Sequence, residues 1–447
     1  MVRISNLSDD LLLKIVSSLP TKNVAATMLL SKRWRFLWTM LPKLHFNNNH
    51  DYGSDSELQH SEYEKFVKYV DRSLVLNRAP VLETLKFKVC PCCSSEDLAT
   101  WIRIGMVREV RELEISDWSE EPFIHGRSSI VLPRSLYTYA KLEVLKLADV
   151  VVLDVPTDVF FPSLKSLHLQ CVEYGSGTDG SYRTLLSGCP VLEELVLDAC
   201  DNFGLPPLSV DMHTLQRLSI LGKFYPGNGK RLYYTVVFNV PSLKYLKFVD
   251  CYGDLCLSRN MPEVVEANVC VTHQNREKLL ESLTSVKRLC LCLAAPMLQH
   301  RIGFYHLLHL ELCGGYAGWW DLLTWMLESS PKLQLLKLCT CNQHVGAEPI
   351  EGHWREPSSV PECLMFHLHT FNWKPYNLED EEKKIVAYIL KNARELKTAG
   401  ISMWTMDYSK ILQAQKFLVS LPRASSSCQL KLNGVVRTKS RSIASKD

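Results

Sequence analysis

No stretch of this chain approaches the ~18 consecutive apolar residues that a membrane-spanning helix requires. The run Val150-Val151-Val152-Leu153 is broken at once by Asp154 and Pro156. Met1-Val2-Arg3-Ile4-Ser5-Asn6 lacks the apolar h-region of a secretory signal, so the expected location is the cytoplasm, the nucleus or both. An excess of charge of one sign is missing too. Lys+Arg 51 against Asp+Glu 48 leave a formal net charge of +3 over 447 residues. That is too little to make nucleic acid or an anionic membrane the main partner. Catalytic signatures are also lacking: there is no H-E-x-x-H, no GxxxxGK[ST], no strand-linked GxGxxG and no GxSxG. Catalytic residues and cofactors are therefore not expected.

What the chain does have is core material, with 46% hydrophobic and 22% charged residues. Its 16 cysteines are scattered, and without an export signal they are expected to stay reduced. The one dense group, Cys90-Pro91-Cys92-Cys93, has no second Cys or His pair nearby in sequence to complete four zinc ligands. It reads as a strand-end turn, and no metal site is assigned. His367 and His369 alternate on an expected strand. Trp319, Trp320 and Trp325 stand at helical spacing beside Leu322, Leu323 and Leu327, as core residues do.

Residues 4 to 46 read as three short helices. Ser8 can cap the first, with Asp9 and Asp10 in its first turn, and Leu11, Leu12, Ile15 and Leu19 recur at helical spacing. Pro20 stops it and Thr21 can cap the next, which carries Val24, Ala25, Met28 and Leu29. Ser31 breaks the run, Lys32-Arg33-Trp34 opens the third helix with Leu37, Trp38 and Leu41 on one side, and Pro42 ends it. Three such helices carry more apolar surface than they can bury among themselves. The excess is either an interface for another protein or a cap on whatever follows.

From Leu82 on, Leu-x-x-Leu-x-Leu returns at unequal intervals, as in the segments beginning at Leu142, Leu164, Leu192, Leu215, Leu243, Val264, Val286, Leu307 and Leu333. This is an irregular leucine-rich repeat. Alternate apolar residues of each short strand face inward, and the residue between the last two leucines faces outward on the concave side. Returning segments such as Leu98 to Ile104 and Asp321 to Leu327 are helical in pattern. The outward mid-strand row is Lys146, His168, Val196, Ser219, Lys247, Asn268, Cys290, Glu311 and Lys337. Lys146, His168, Lys247, Asn268, Glu311 and Lys337 are the candidate target-binding residues. Mixed in charge and size, the row suits a protein surface better than a phosphate polymer. Past a Pro, Glu and Gly-rich stretch at 347–361, two more strand–helix units, with a helix over Glu379 to Leu396, and a final strand close the array.

These strings resemble a known family. Leu7, Asp9-Asp10-Leu11-Leu12, Ile15, Leu19-Pro20-Thr21-Lys22 and Leu30-Ser31-Lys32-Arg33-Trp34-Arg35 are similar to a plant F-box, and the Val360 to Leu364, Phe371-Asn372-Trp373 and Ser420 to Leu430 strings resemble the FBD domain. The resemblance implies an α/β chain in four parts: an F-box over 1–48, leucine-rich repeats over 49–355, an FBD cap over 356–435 and a disordered tail over 436–447. It also implies a non-catalytic, substrate-recognition subunit of an SCF-type ubiquitin ligase. The F-box would bind a Skp-type adaptor, and through it cullin and RING subunits, while the repeats hold a protein target. Carried over residue by residue, the adaptor-facing candidates are Leu7, Ser8, Leu11, Ile15, Leu19, Pro20, Leu30 and Trp34. The family usually has proline where Ser8 stands. Serine keeps the helix cap but removes an apolar contact, so a reduced adaptor affinity is expected. Two other readings stay open: a scaffold that acts without degradation, and a small-molecule-sensing repeat receptor.

Overall fold

The computed structural model describes all residues except 1–3, 5–6, 18, 20, 49–55, 91, 118–129, 150, 175–177, 200–207, 223–234, 251–253, 258–260, 272–275, 294–301, 315–317, 341–351, 406 and 435–447. The chain forms two compact units, Met1–Leu221 and Gly222–Asp447. Among the described residues, no helix is long and apolar enough to cross a membrane.

The first unit opens with helices α1 (Asp9–Val16), α2 (Thr21–Thr27) and α3 (Lys32–Thr39). They are followed by strand β1 (Lys43–Asn47) and helix α4 (Ser56–Leu76). Then come β2 (Thr84–Val89), α5 (Ser95–Val107), β3 (Glu112–Asp117), β4 (Ile130–Val131), β5 (Val144–Ala148), β6 (Val151–Leu153), β7 (Ser166–Gln170), β8 (Glu173–Tyr174), α6 (Thr178–Ser187), β9 (Glu194–Ala199), β10 (Leu208–Asp211) and β11 (Arg217–Gly222). Strands β1-β2-β3-β5-β7-β9-β11 lie side by side in that order, and β1 through β9 pair in parallel. The short strands β4, β6 and β8 pair in parallel as a separate small sheet.

Alternation within each strand builds the core. Leu85 and Phe87, Leu113 and Ile115, Leu145 and Leu147, Leu167 and Leu169, Leu195 and Leu197 are all buried, and register stacks each pair on the next. At about 1.5–3 kcal/mol for each large apolar side chain, a single strand carries too little to stand by itself, so each repeat depends on its neighbours. Helix α5 closes one flank. Its Trp101 stacks on Phe87 and donates its indole N–H to Asp71 of α4 at 2.8 Å. Gly105 permits the close approach, because a Cβ there would meet Leu85 Cδ2 at 2.9 Å.

The second unit continues the plan with β12 (Thr235–Asn239), β13 (Tyr245–Asp250), β14 (Asp254–Leu257), β15 (Glu266–Val271), α7 (Arg276–Ser282), β16 (Arg288–Leu293), β17 (His309–Gly314), α8 (Trp319–Ser329) and β18 (Leu335–Thr340). It ends with α9 (Glu362–Phe366), β19 (Thr370–Lys374), α10 (Asp380–Asn392), β20 (Thr398–Met403), α11 (Tyr408–Ser420) and β21 (Gln429–Gly434). The sheet order is β13-β15-β16-β17-β18-β19-β20-β21, parallel throughout. Trp319 and Trp320 are buried on α8, as their spacing predicts.

Successive strands are joined by a repeated main-chain device. The carbonyl of Glu143 accepts from the N–H groups of both Lys165 and Ser166. The Lys165 carbonyl does the same for Glu193 and Glu194, and the Lys287 carbonyl for Leu308 and His309.

Three expectations need correction. His367 and His369 do not lie on a strand: Pro361 and Glu362 start α9, His367 is its C-cap, and the strand begins only at Thr370. The helix expected to reach Leu396 ends at Asn392, because Ala393 is extended. The cysteines are not all thiols: the chain turns directly after β2, with the Cys93 N–H donating to the Cys90 carbonyl. There Cys90 and Cys92, with Cα atoms 5.2 Å apart, form a disulfide. Cys171 is disulfide-bonded as well.

Candidate functional site

Helix α1 begins as its sequence demands. Ser8 is the N-cap, its Oγ accepting from the Leu11 N–H at 3.4 Å, with Asp9 and Asp10 in the first turn. Ser31 caps α3 in the same way. Arg33 of α3 then reaches back, its Nε donating to Asp9 Oδ1 at 2.7 Å and its Nη2 to the Leu7 carbonyl at 2.5 Å. The His45 N–H donates to Thr21 Oγ1 at 2.6 Å, which ties α2 to β1. Leu12, Val16, Val24, Trp34, Leu37, Trp38 and Leu41 are buried in this module.

The apolar residues of α1 divide into two rows. Leu12 and Val16 are 0% and 2% exposed, whereas Leu11 and Ile15, one residue earlier in each turn, are 50% and 44% exposed. Leu19 is also exposed, Leu30 is 67% exposed, and Leu7 is half-buried. Ser8 is exposed at the helix start. Trp34 is 8% exposed, so its indole fills the module and does not face out. Pro20 lies outside the described residues. Sequence reasoning missed further exposed apolar side chains, Leu29 and Phe36 among them. Leu29, part of the expected apolar stripe of the second helix, is 91% exposed, and Phe36, at 56%, lies off the stripe of α3.

The outward mid-strand residues line up rung by rung. In the first unit, register sets Lys86 opposite Glu114, Glu114 opposite Lys146, Lys146 opposite His168 and His168 opposite Val196. In the second it sets Lys247 opposite Asn268, Asn268 opposite Cys290, Cys290 opposite Glu311, Glu311 opposite Lys337 and Lys337 opposite Asn372. All are half-buried. Many of the charges bind one another across strands. The Lys86 ammonium lies 3.1 and 2.9 Å from Glu112 and Glu114, and that of Lys337 lies 2.8 Å from Glu311. Glu194 accepts from Ser166 at 2.8 Å, with His168 at 3.2 Å.

Burial opposes ionisation at these groups, and their partners outweigh it. Glu112 is held below the ordinary carboxylate value by Lys86 and Glu194 by Ser166 and His168, while Lys86 and Lys337 are raised by their glutamates. Among the described residues, these rows form a mosaic of paired charges of both signs.

Three family models match the chain: the F-box domain over residues 4–46, the leucine-rich repeats of FBD-associated F-box proteins over 98–266, and FBD over 356–401. The chain is 61% identical to the putative FBD-associated F-box protein At3g50710 of Arabidopsis thaliana, covering 97% of this chain and 100% of that one. It is 41% identical to the Arabidopsis F-box/FBD/LRR-repeat protein At5g56420 (96% and 98% covered) and 42% identical to F-box/FBD/LRR-repeat protein At4g26340 (96% and 99%). The chain belongs to the plant F-box/LRR/FBD family. In this F-box protein, the helices matched as the F-box are those that leave Leu11, Ile15, Leu19, Leu29 and Leu30 exposed. The FBD match spans α9, β19 and α10 and ends within β20.

Proposed function

We propose that this chain is the substrate-recognition subunit of an SCF-type ubiquitin ligase, acting in the cytoplasm or the nucleus. Its F-box helices dock on a Skp-type adaptor, and through that adaptor on cullin and RING subunits. The outward rows of the repeats, with Lys146 and His168 in one unit and Lys247, Asn268, Glu311 and Lys337 in the other, hold a protein target. The chain's part in the chemistry is to place a target lysine beside a charged ubiquitin carrier, which is a proximity effect.

One observation carries the reading: α1 is apolar on two faces, burying Leu12 and Val16 while exposing Leu11 and Ile15. A helix that only capped the repeats would need one such face. Leu29 and Leu30 add further exposed apolar surface to the same module. For the target surface, the paired charges favour a protein with complementary polar groups over a polyanion.

The test is binding of the full chain to a purified Skp-type adaptor by calorimetry, with a Leu11→Ala, Ile15→Ala double variant beside it. Micromolar or tighter binding that the double variant loses supports the reading. An unchanged affinity in the double variant, or no binding by the folded parent, overturns it.

A further inference from the structure

Strands β15–β18 carry a second pattern at the alternate positions of the mid-strand row, two residues further along and, except at Cys339, buried. Cys270, Cys292, Cys313 and Cys339 each occupy the fifth position of their strand, on four successive strands. Register sets Cys270 opposite Cys292 and Cys313 opposite Cys339. This column differs from the turn cysteine of the repeat. The turn position that such repeats fill with Asn or Cys falls eight residues after the first apolar residue of the motif, whereas Cys339 and its counterparts fall six after. Any small or β-branched residue would satisfy that sheet position. Soft donors on four successive strands call for a further reason.

Cys290, in the mid-strand row, joins them. Its Sγ, a carboxylate oxygen of Glu311 and the Sγ of Cys313 all lie within 4.8 Å of one another. The Sγ of Cys339 is 3.2 Å from that of Cys313 and 3.4 Å from Glu311 Oε1. Cys290, Cys313 and Cys339 are thiols and not halves of disulfides. Three thiols and one carboxylate, from three neighbouring strands, thus converge on a small volume. Around zinc, with Zn–S bonds of about 2.3 Å, tetrahedral sulfur ligands stand about 3.8 Å apart; Cys313 and Cys339 at 3.2 Å, and Cys290 and Cys313 within 4.8 Å, lie within side-chain rotation of that spacing.

The scaffold is fixed by the main-chain ladder, so small side-chain rotations complete the set. Lys337 holds Glu311 Oε1 at 2.8 Å, which orients the carboxylate and sets a positive charge beside a ligand set that becomes anionic when its thiols lose protons. Cys290, Glu311 and Cys339 are half-buried, so an ion can enter from the outward face, while Cys313 is buried.

We propose that Cys290, Glu311, Cys313 and Cys339 form a binding site for a thiophilic d10 cation of the zinc class on the outward face of β16–β18. Thiolate donors select such an ion over magnesium or calcium, which take oxygen ligands. The bound ion would clip three repeats together within the surface proposed to hold the target, and its binding would release thiol protons, so affinity falls as pH falls. The site does not depend on adaptor binding.

The test uses the full-length chain, reduced and stripped of metal with a chelator. It is titrated without oxygen with Zn2+ against a chromophoric chelator, and separately with Cd2+ while thiolate-to-metal charge-transfer absorbance is read. One equivalent of tight binding and a charge-transfer band are expected. Cys313→Ser is expected to weaken binding by more than the ~10–100-fold typical of changes around a metal's ligands and to shrink the band. Cys428→Ser, in the last repeat, serves as the control and leaves both unchanged. If circular dichroism shows that Cys313→Ser does not fold, the half-buried Glu311→Gln and Cys290→Ser variants read the same site. Absence of stoichiometric uptake, or uptake that survives all three substitutions, overturns the proposal. So does a stable Cys313–Cys339 disulfide in a chain whose reduced form takes up no zinc.

Discussion

Helices α1 and α10 begin alike and end in different work. Each opens with a capping residue and acidic residues in its first turn, Ser8 with Asp9 and Asp10 in one, Glu379 with Asp380, Glu381 and Glu382 in the other. In α10 the apolar residues Ile385, Val386, Ile389 and Leu390 are all buried. Its lysines stay on the polar side, where Lys383 pairs with Asp380 and Lys384 with Glu381, each at 2.8 Å. Helix α1 buries Leu12 and Val16 and leaves Leu11 and Ile15 in solvent. Capping chemistry decides that both are helices. The number of apolar faces decides whether a helix completes its own core or offers a surface to another protein.

The largest test of that contrast is to cut into both cores. Ile389→Ala and Leu12→Ala each remove a fully buried side chain and are expected to cost about 2–5 kcal/mol, read as a lower unfolding midpoint in urea. Leu11→Ala with Ile15→Ala should divide the effects the other way. Stability should stay within about 0.5 kcal/mol per site, while adaptor affinity falls by about 2 kcal/mol or more, roughly 30-fold. An equal loss of stability in both pairs would erase the distinction between the two helices.

A smaller effect separates the ends of the helices by pH. The Glu382 carboxyl accepts from the N–H groups of Asn377 and Glu379, yet burial dominates and raises it from 4.5 to about 7. The folded state therefore holds this proton more tightly than the unfolded chain. Its contribution is fully present below pH 4.5 and is lost as pH rises through about 7. The stability difference between the parent and Glu382→Gln should fall by on the order of 2 kcal/mol across that window; a flat difference would contradict it. At α1 the smallest effect is expected: Ser8→Ala should cost about 1 kcal/mol through the lost cap. Ser8→Pro suits the observed φ of −64° and should tighten adaptor binding, measured by the same calorimetry.

Much of this was legible beforehand. The first helix and its cap follow from Ser8 and Asp9, although the helix ends at Val16 and does not run on through Leu19; the recurring leucine pattern places the main strands, because short alternating runs have few other uses. The outward row from Lys146 to Lys337 lines up in each unit because strand periodicity is two, which leaves little room for error. The division of α1 was less legible. Leu11 and Leu12 are both apolar and adjacent, and only packing against α3 settles which turns inward. Trp34 looked like a contact for a partner and fills the module instead. The cysteines of β15–β18 read from sequence as structural strand residues, and their convergence was not legible because each sits in its own repeat and only register sets Cys313 beside Cys339. The pairing of β4, β6 and β8 needs contacts that residue patterns do not encode.

The shared carbonyls between repeats have a consequence for tolerance to change. Where the Lys165 carbonyl receives the N–H groups of Glu193 and Glu194, and the Lys287 carbonyl those of Leu308 and His309, the shared carbonyl joint itself is made of main-chain atoms. The side chains at Lys165, Glu193 or Lys287 can therefore vary in size and charge without loosening it. Proline at Glu193, Glu194, Leu308 or His309 would remove a donor and open the seam. The joints of the array are thus where this chain can drift most widely in sequence, with one residue type forbidden.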